Sequence, residues 1–354
     1  MSKDSGRSTR HVRSLNLALQ GGGSHGAFTW GVLDCIFEDG RIWIDAISGT
    51  SAGAMNAVVA AQGMYDGGGE GARQALENFW RAVSAAGRAS PMQRTWLDRA
   101  MGNWSLDNSP GYLTLDILNR VASPYVVNPM QLNPLRDLVG RFVDFEKVQN
   151  CRDMPIYITA TNVETGRGRT FTREEITLDV VMASACLPFM FHAVMIDGAP
   201  YWDGGYMGNP VLFPFIDESP CEDIAIVQIN PVTRPGAPET AQGILNRVNE
   251  ITFNSSLLKE LWTIDLIDRL LAEGKVSRNE FRDIKIHIIQ AQEEMSPLGA
   301  SSKLNTEWEF LVLLRDIGRR AAEAWIADHF ADIGKRTTVD LRAMFRGVNC
   351  KASP

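Results

Sequence analysis

The chain is short of several things, and each shortage closes off a class of protein. It has no long apolar run: nothing approaches the ~18 consecutive apolar residues of a membrane-spanning helix. Cysteine is sparse, with Cys35, Cys151, Cys186, Cys221 and Cys350 scattered, odd in number and never spaced as C-x-x-C. That argues against a disulfide frame or a zinc site and for free thiols in a reducing compartment. The five histidines, His11, His25, His192, His287 and His329, show no metal-ligand spacing. Positive charge is in deficit, with a formal net charge of −7, so a nucleic-acid partner is not expected. There is no internal repeat and no low-complexity tract. The first 14 residues, MSKDSGRSTRHVRS, are polar and basic, and the apolar Leu15–Leu19 that follows is too short for a signal peptide. Residues 1–14 are expected to be a disordered basic tail. Near an anionic lipid surface each basic residue would add ~1 kcal/mol of attraction. The expected setting is cytoplasmic, with peripheral work at membranes compatible with it.

What is present is a chain of 354 residues with 45% hydrophobic content, enough for a substantial core in one large domain or two ordinary ones. Leu15–Leu19 reads as a buried strand, Ala27–Phe37 as a helix, Ile42–Ile47 as a second strand and Ala52–Gln62 as a small-residue helix. Strand, loop, helix repeated in that order predicts a parallel sheet with crossover helices. Further strands are expected at Pro155–Thr161, Arg169–Thr172, Val194–Ile196, Ile224–Ile229 and Ile284–Ile289. Long helices are expected at Gln242–Ala272 and Thr306–Phe330. Between Ala86 and Asn133 the pattern gives way to Pro, Asn, Ser and aromatics, which suits short helices joined by loops. A second triple glycine, Gly67–Gly69, follows a helix and reads as a surface turn. On the helix at 242–272, the stripe Ile244, Val248, Ile251, Leu258, Leu261 and Trp262 is expected to be mostly core, with the remainder available to a homodimer contact.

Two glycine loops carry the chemistry. In "LNLALQGGGSHGAF", Gly21, Gly23 and Gly26 match G-x-G-x-x-G, which could hold a nucleotide pyrophosphate or stabilise charge that develops in a transition state. In "IWIDAISGTSAGA", Gly49-Thr50-Ser51-Ala52-Gly53 matches G-x-S-x-G, with Ser51 where a strand reverses into a helix. Such an elbow exposes the hydroxyl, and the helix N-terminus favours negative charge beside it. Both loops end neighbouring strands at one edge of the sheet. If Ser51 attacks an ester, the oxyanion needs N–H donors, and Gly21, Gly22 and Gly23 offer them unobstructed; one such donor is typically worth ~2.7–4 kcal/mol. A dinucleotide site would instead put an acid on the ribose, a position that Asp45 nearly fills, but it requires no nucleophile elbow. A histidine base would have to be His287 or His329, and neither lies in a Gly- or Pro-rich loop. "MIDGAPYWDGGYMGNP" offers another base, Asp203, whose carboxylate the tight Gly204-Gly205 bend can present from a strand end.

The ordered set G-G-G-x-x-G, G-T-S-A-G and D-G-G, with "ASACLPFMF" (Ala183 to Phe191) shortly before the last, resembles the patatin-like phospholipases. The resemblance covers roughly Leu15 to Asn230. It implies an α/β fold of three layers, α/β/α, with a central mostly parallel sheet and a helical insertion. The catalytic domain would span 15–232, with the insertion at 86–133 lid-like, and 233–354 would pack on the same domain. By the resemblance, Ser51 is the nucleophile, Asp203 the base of a Ser-Asp dyad, and the N–H groups of Gly21, Gly22 and Gly23 the oxyanion hole, with Gly26, Gly49, Gly53, Gly204 and Gly205 in support. The implied activity is lipid acyl-ester hydrolysis with no cofactor or metal, on a phospholipid, lysophospholipid or glyceride. Trp96, Met101 and Trp104 are candidates for a lid or acyl channel. The family usually carries Arg or Lys where this chain has His25, a residue that helps to order the glycine loop. The rivals are a non-catalytic lipid-binding module, which a fluorophosphonate probe would leave unlabelled, and an oxidoreductase, which NAD or NADP titration would reveal.

Overall fold

Strand β1 (Arg13–Leu19) sends Leu15, Leu17 and Leu19 into one apolar cluster and Ala18 into another, as period-2 alternation requires of a strand covered on both faces. The computed structural model describes residues 13–346. Residues 1–12 of the expected tail, with His11, and Cys350 near the other end lie outside the described residues. Arg13 and Ser14 belong to β1, so the expected tail boundary at residue 14 is two residues too long.

Among the described residues one sheet of eight strands forms: β1, β2 (Ile42–Gly49), β3 (Ile156–Asn162), β4 (Gly168–Phe171), β5 (Val194–Ile196), β6 (Ala199–Asp203), β7 (Asp223–Val227) and β8 (Lys285–Ile289). Its order is β5-β6-β3-β2-β1-β7-β8, with β4 also on β3. The run β3-β2-β1-β7-β8 is parallel, and β4, β5 and β6 pair antiparallel. Helices α1 (Gly26–Asp39) and α2 (Ala52–Gly87) follow β1 and β2, as the crossovers between parallel neighbours require. The second triple glycine breaks α2: Gly67 and Gly68 leave helical geometry, and the two arms fold back so that Gly63 and Gly71 touch.

Short helices punctuate the insertion, including Trp96–Ala100, α3 (Pro110–Val121) and Pro124–Val127; α4 (Leu178–Ser184) follows β4. Two long helices, α5 (Ala241–Ala272) and α6 (Trp308–His329), complete the layers. The first cluster packs α1, α2 and α6 on one face, anchored by the fully buried Trp30, Phe28, Phe79 and Phe310. Each such side chain stabilises the fold by about 1.5–3 kcal/mol. On the other face Leu212, Phe215, Leu257, Leu261 and Ile264 cover β7 and β8. The fold is α/β with helices on both sides of a mostly parallel sheet.

The expected apolar stripe of α5 is corrected. Ile244, Val248, Ile251 and Trp262 are exposed, and the inward face is Glu250, Asn254, Leu257, Leu261 and Ile264. Its N-terminal half turns polar groups inward because the neighbouring loop needs hydrogen-bond partners: Asn254 bonds the Gln20 side chain and Glu250 pairs with Arg234. Among the described residues no helix is long and apolar enough to cross a membrane.

Candidate active site

The sheet forks at β3, and the fork brings the two distant motifs together. At Ile158 the neighbours of β3 are Gly49 of β2 and Phe171 of β4. At Ala160 the β4 side is still occupied, by Arg169, but the other side now holds Asp203 of β6. Strand β6 therefore takes up the position that β2 vacates when it turns into the elbow. The step is two residues, roughly 7 Å at ~3.3 Å per residue. Ser51 leaves the end of one strand and Asp203 the end of the other, which sets the Ser51 hydroxyl close enough to favour the ionised form of the Asp203 carboxyl.

Ser51 caps α2 with φ 54° and ψ −117°, a conformation an L-residue adopts at a cost of ~1–3 kcal/mol. Close packing enforces it. A Cβ on Gly53 would meet the Leu19 carbonyl oxygen at 2.3 Å, and one on Gly21 would meet the Ser51 Cβ at 2.7 Å. The Ser51 N–H donates to Ser184 Oγ at 2.9 Å, and the Thr50 hydroxyl donates to the Gly208 carbonyl at 2.7 Å.

Asp203 is 2% exposed. Its Oδ1 accepts the Gly205 N–H at 2.7 Å, its own N–H donates to the Cys186 carbonyl at 2.8 Å, and Thr161 donates to its carbonyl at 2.8 Å. Burial pushes its carboxyl up to about 7, against the Gly205 N–H, the Ser51 hydroxyl and the charge of Lys303, which favour the ionised form. A carboxylate in that range is matched to general-base work near neutral pH.

The glycine loop divides its labour. The Gly21 N–H donates to Asn209 Oδ1 at 2.6 Å and is committed there, while its carbonyl accepts from Asn230 Nδ2 at 2.7 Å. Gln20 Oε1 accepts the N–H groups of Ile229 and Asn230, both at 2.9 Å. The N–H groups of Gly22 and Gly23 take no part in this network. Gly26 lies against Ala52, so the first helical turns of α1 and α2 touch.

Sequence reasoning missed Ser184, Asn209, Asn230 and Lys303. Ser184 lies in the Ala/Ser-rich segment and Asn209 six residues past the D-G-G aspartate, so proximity to motifs is a usable signal for these two. Asn230 and Lys303 carry no such signal. The histidines considered as bases are elsewhere. His287, buried on β8, bonds Asp223 and Thr338, both at 3.0 Å, and His329 bonds Asp332 at the end of α6. Asp45, the nearest match to a ribose-binding acid, accepts a hydrogen bond from Ser219 at 2.7 Å. Cys35, Cys151, Cys186 and Cys221 are free thiols, and among the described residues no group of three or more His, Cys, Asp or Glu side chains could hold a metal ion.

Of the lid candidates, Trp96 and Met101 are 78% and 75% exposed. Trp104 stacks on Phe310 at 5.1 Å between ring centroids, under the Arg94 guanidinium. The insertion reaches the site's surroundings through Tyr125, whose ring packs at a tilt against His192 and whose hydroxyl accepts the Ala193 N–H.

The family model described as patatin-like phospholipase matches residues 17–216. No curated protein matches the chain. Among solved structures, VipD from Legionella pneumophila aligns at a TM-score of 0.36 and 14% identity, over 87% of this chain and 67% of that one. Full-length ExoU, solved with full-length SpcU from the type III secretion system of Pseudomonas aeruginosa, aligns at 0.31 and 14% identity, over 88% of this chain and 53% of the other. A separate structure of the type III effector protein ExoU gives 0.28 and 16% identity, again over 53% of its length. The chain thus spans about half the length of the ExoU chains.

Proposed function

The chain belongs to the patatin-like phospholipase family, and from that premise we propose that it hydrolyses lipid acyl esters through a dyad of Ser51 and Asp203. Asp203 takes the Ser51 proton as the hydroxyl oxygen attacks the ester carbonyl. The tetrahedral oxyanion rests on the N–H groups of Gly22 and Gly23, since that of Gly21 is spent on Asn209. Asp203 returns the proton to the departing alcohol, then takes one from the water that attacks the acyl-enzyme and passes it to the Ser51 oxygen as the fatty acid leaves. The substrate class is a phospholipid, lysophospholipid or glyceride.

The observation that carries this reading is a buried carboxylate, raised to about 7, facing a serine held in a strained elbow. A structural aspartate would gain from being held below its ordinary range by its partners, whereas this one is poised to exchange a proton. The test is fluorophosphonate labelling together with hydrolysis of a lipid panel. Wild type should label and turn over; Ser51→Ala should do neither. Asp203→Asn should lose at least 1,000-fold in turnover while keeping its fold. A wild-type chain that resists the probe and binds lipid without cleaving it would support the binding-module reading instead.

A further inference from the structure

Within the motif G-G-G-S-H-G, the structure makes the histidine neutral. His25 is 2% exposed. Burial, and the nearby charges of Lys303 and Arg234, hold it well below its ordinary range. Its tautomer is fixed as well. Ser302 Oγ spends its proton on the Gly299 carbonyl at 2.7 Å, so at 2.8 Å from His25 Nε2 it accepts the ring N–H. His25 thus anchors the turn 300–304 to the loop without bringing charge.

The next residue of that turn is a lysine, whose ammonium is held below its ordinary range by burial, against Glu250 and Asp203, which favour its charged form. The Lys303 carbonyl fills the space beside Gly23, where an added Cβ would meet it at 2.4 Å. Its ammonium Nζ donates to Asn230 Oδ1 at 2.7 Å, and Asn230 Nδ2 donates to the Gly21 carbonyl at 2.7 Å. One residue therefore grips the glycine loop at both ends, by its backbone at Gly23 and through Asn230 at Gly21. We infer that Lys303 is the positioning residue of the oxyanion loop, supplying from a turn remote in sequence the cation that His25 does not.

The electrostatic surroundings agree with that role, which rests on the ester-hydrolase reading above. The charged and titratable groups facing Lys303 are Glu250, Arg234, Asp203 and His25; those facing Asp203 are Lys303, Cys186 and Tyr206. Glu250 is already shared by Arg234 and Arg247. The Lys303 charge acts on Asp203 to favour the carboxylate. It would likewise favour negative charge on an oxyanion held by the loop beside it.

The test uses the full chain and a soluble butyrate ester, with Lys303→Gln and Lys303→Arg. Glutamine, one atom shorter, keeps an N–H donor for Asn230 and removes the charge; arginine keeps the charge. For Lys303→Gln we expect kcat to fall about 30- to 100-fold with KM within about threefold, and the acid limb of the pH profile to move to higher pH. For Lys303→Arg the acid limb should return to its wild-type position and much of kcat with it. An unmoved acid limb and kcat in Lys303→Gln would overturn the inference. So would equal losses in both variants that merely follow a fall in melting temperature. If Lys303→Gln does not fold, Lys303→Arg decides: a displaced acid limb with the charge retained rules the role out. Ser51-dependent fluorophosphonate labelling of wild type, run alongside, separates failure of this inference from failure of the hydrolase reading.

Discussion

At the scale of single residues, Asp203 sets a trade between activity and stability. As a base it must be ionised, so kcat/KM should rise with unit slope up to about pH 7 and then level off; an acid limb near the ordinary carboxylate value would show that Asp203 is not the base. The stability effect runs the other way. Below its ordinary 3.8 both folded and unfolded chains carry the proton. Between 3.8 and about 7 only the folded chain keeps it, and stability falls as pH rises through that window. Asp203→Asn removes the penalty, so this inactive variant should be more stable than wild type at pH 8, by roughly 2–4 kcal/mol, and indistinguishable from it near pH 4. Denaturant melts at the two pH values measure it, and equal stabilities at pH 8 would refute the buried ionised state. Ser51 and Asp203 stand out in the sequence as candidates because each sits among glycines that have few other uses. Lys303 was not readable, because its role depends on a carbonyl and an ammonium meeting a loop that is remote in sequence.

At the scale of elements, the short segment 184–186 holds both halves of the proposed dyad, through Ser184 Oγ to the Ser51 N–H and the Cys186 carbonyl to the Asp203 N–H. Ser184→Ala should leave the Ser51 N–H without its partner and loosen the elbow. We expect kcat to drop about tenfold with KM little changed, in line with ~1–3 kcal/mol for an unsatisfied buried donor; steady-state kinetics on the butyrate ester decides. The insertion divides in the same spirit. Trp104 belongs to a stack with Phe310 and Arg94, and the adjoining Leu106 is fully buried, whereas Trp96 stands in solvent. Trp104→Ala should therefore lower the melting temperature and depress long- and short-chain ester hydrolysis alike. If the outer part of the insertion serves acyl chains, Trp96→Ala should spare the butyrate ester and weaken long-chain turnover at least fivefold. Equal effects of Trp96→Ala on both esters would reduce that part to scaffold. Sequence pattern located the insertion by its composition. It did not distinguish Trp96 from Trp104, since exposure is decided by what α6 presents some 200 residues later. The misread stripe of α5 has the same origin: its apolar spacing is helical, but the loop it faces demands Glu250 and Asn254.

At the scale of the whole molecule, the last third of the chain is structurally inseparable from the motifs near its start. Strand β8 extends the parallel sheet beyond β7, and α6 lies directly on α1, the helix that leaves the glycine loop. The contact is backbone to backbone. A Cβ on Gly318 would meet the Phe28 carbonyl oxygen at 2.0 Å, and one on Gly31 would meet that of Arg315 at 1.9 Å. Arg319 ties the same surfaces through Asp34 and Glu38. This crossing was invisible in the sequence: the strand–helix alternation announces α1 and α6 separately, and nothing but the two glycines hints that they touch. Because α6 follows the turn of Lys303 and Trp308 packs on Trp30, displacing α6 should be felt at the loop. Gly318→Val cannot be absorbed by a side chain shifting, since the obstacle is a carbonyl. The two helices must separate, at a cost of about 1–3 kcal/mol for overpacking. The expected result is a melting temperature lower by several degrees and slower Ser51 labelling by fluorophosphonate well below the melt, where a surface control on the same helix, Arg320→Ala at an exposed position, leaves both unchanged. If labelling of Gly318→Val stays at the wild-type rate until the fold melts, the C-terminal third supports stability alone and the loop does not depend on where α6 sits.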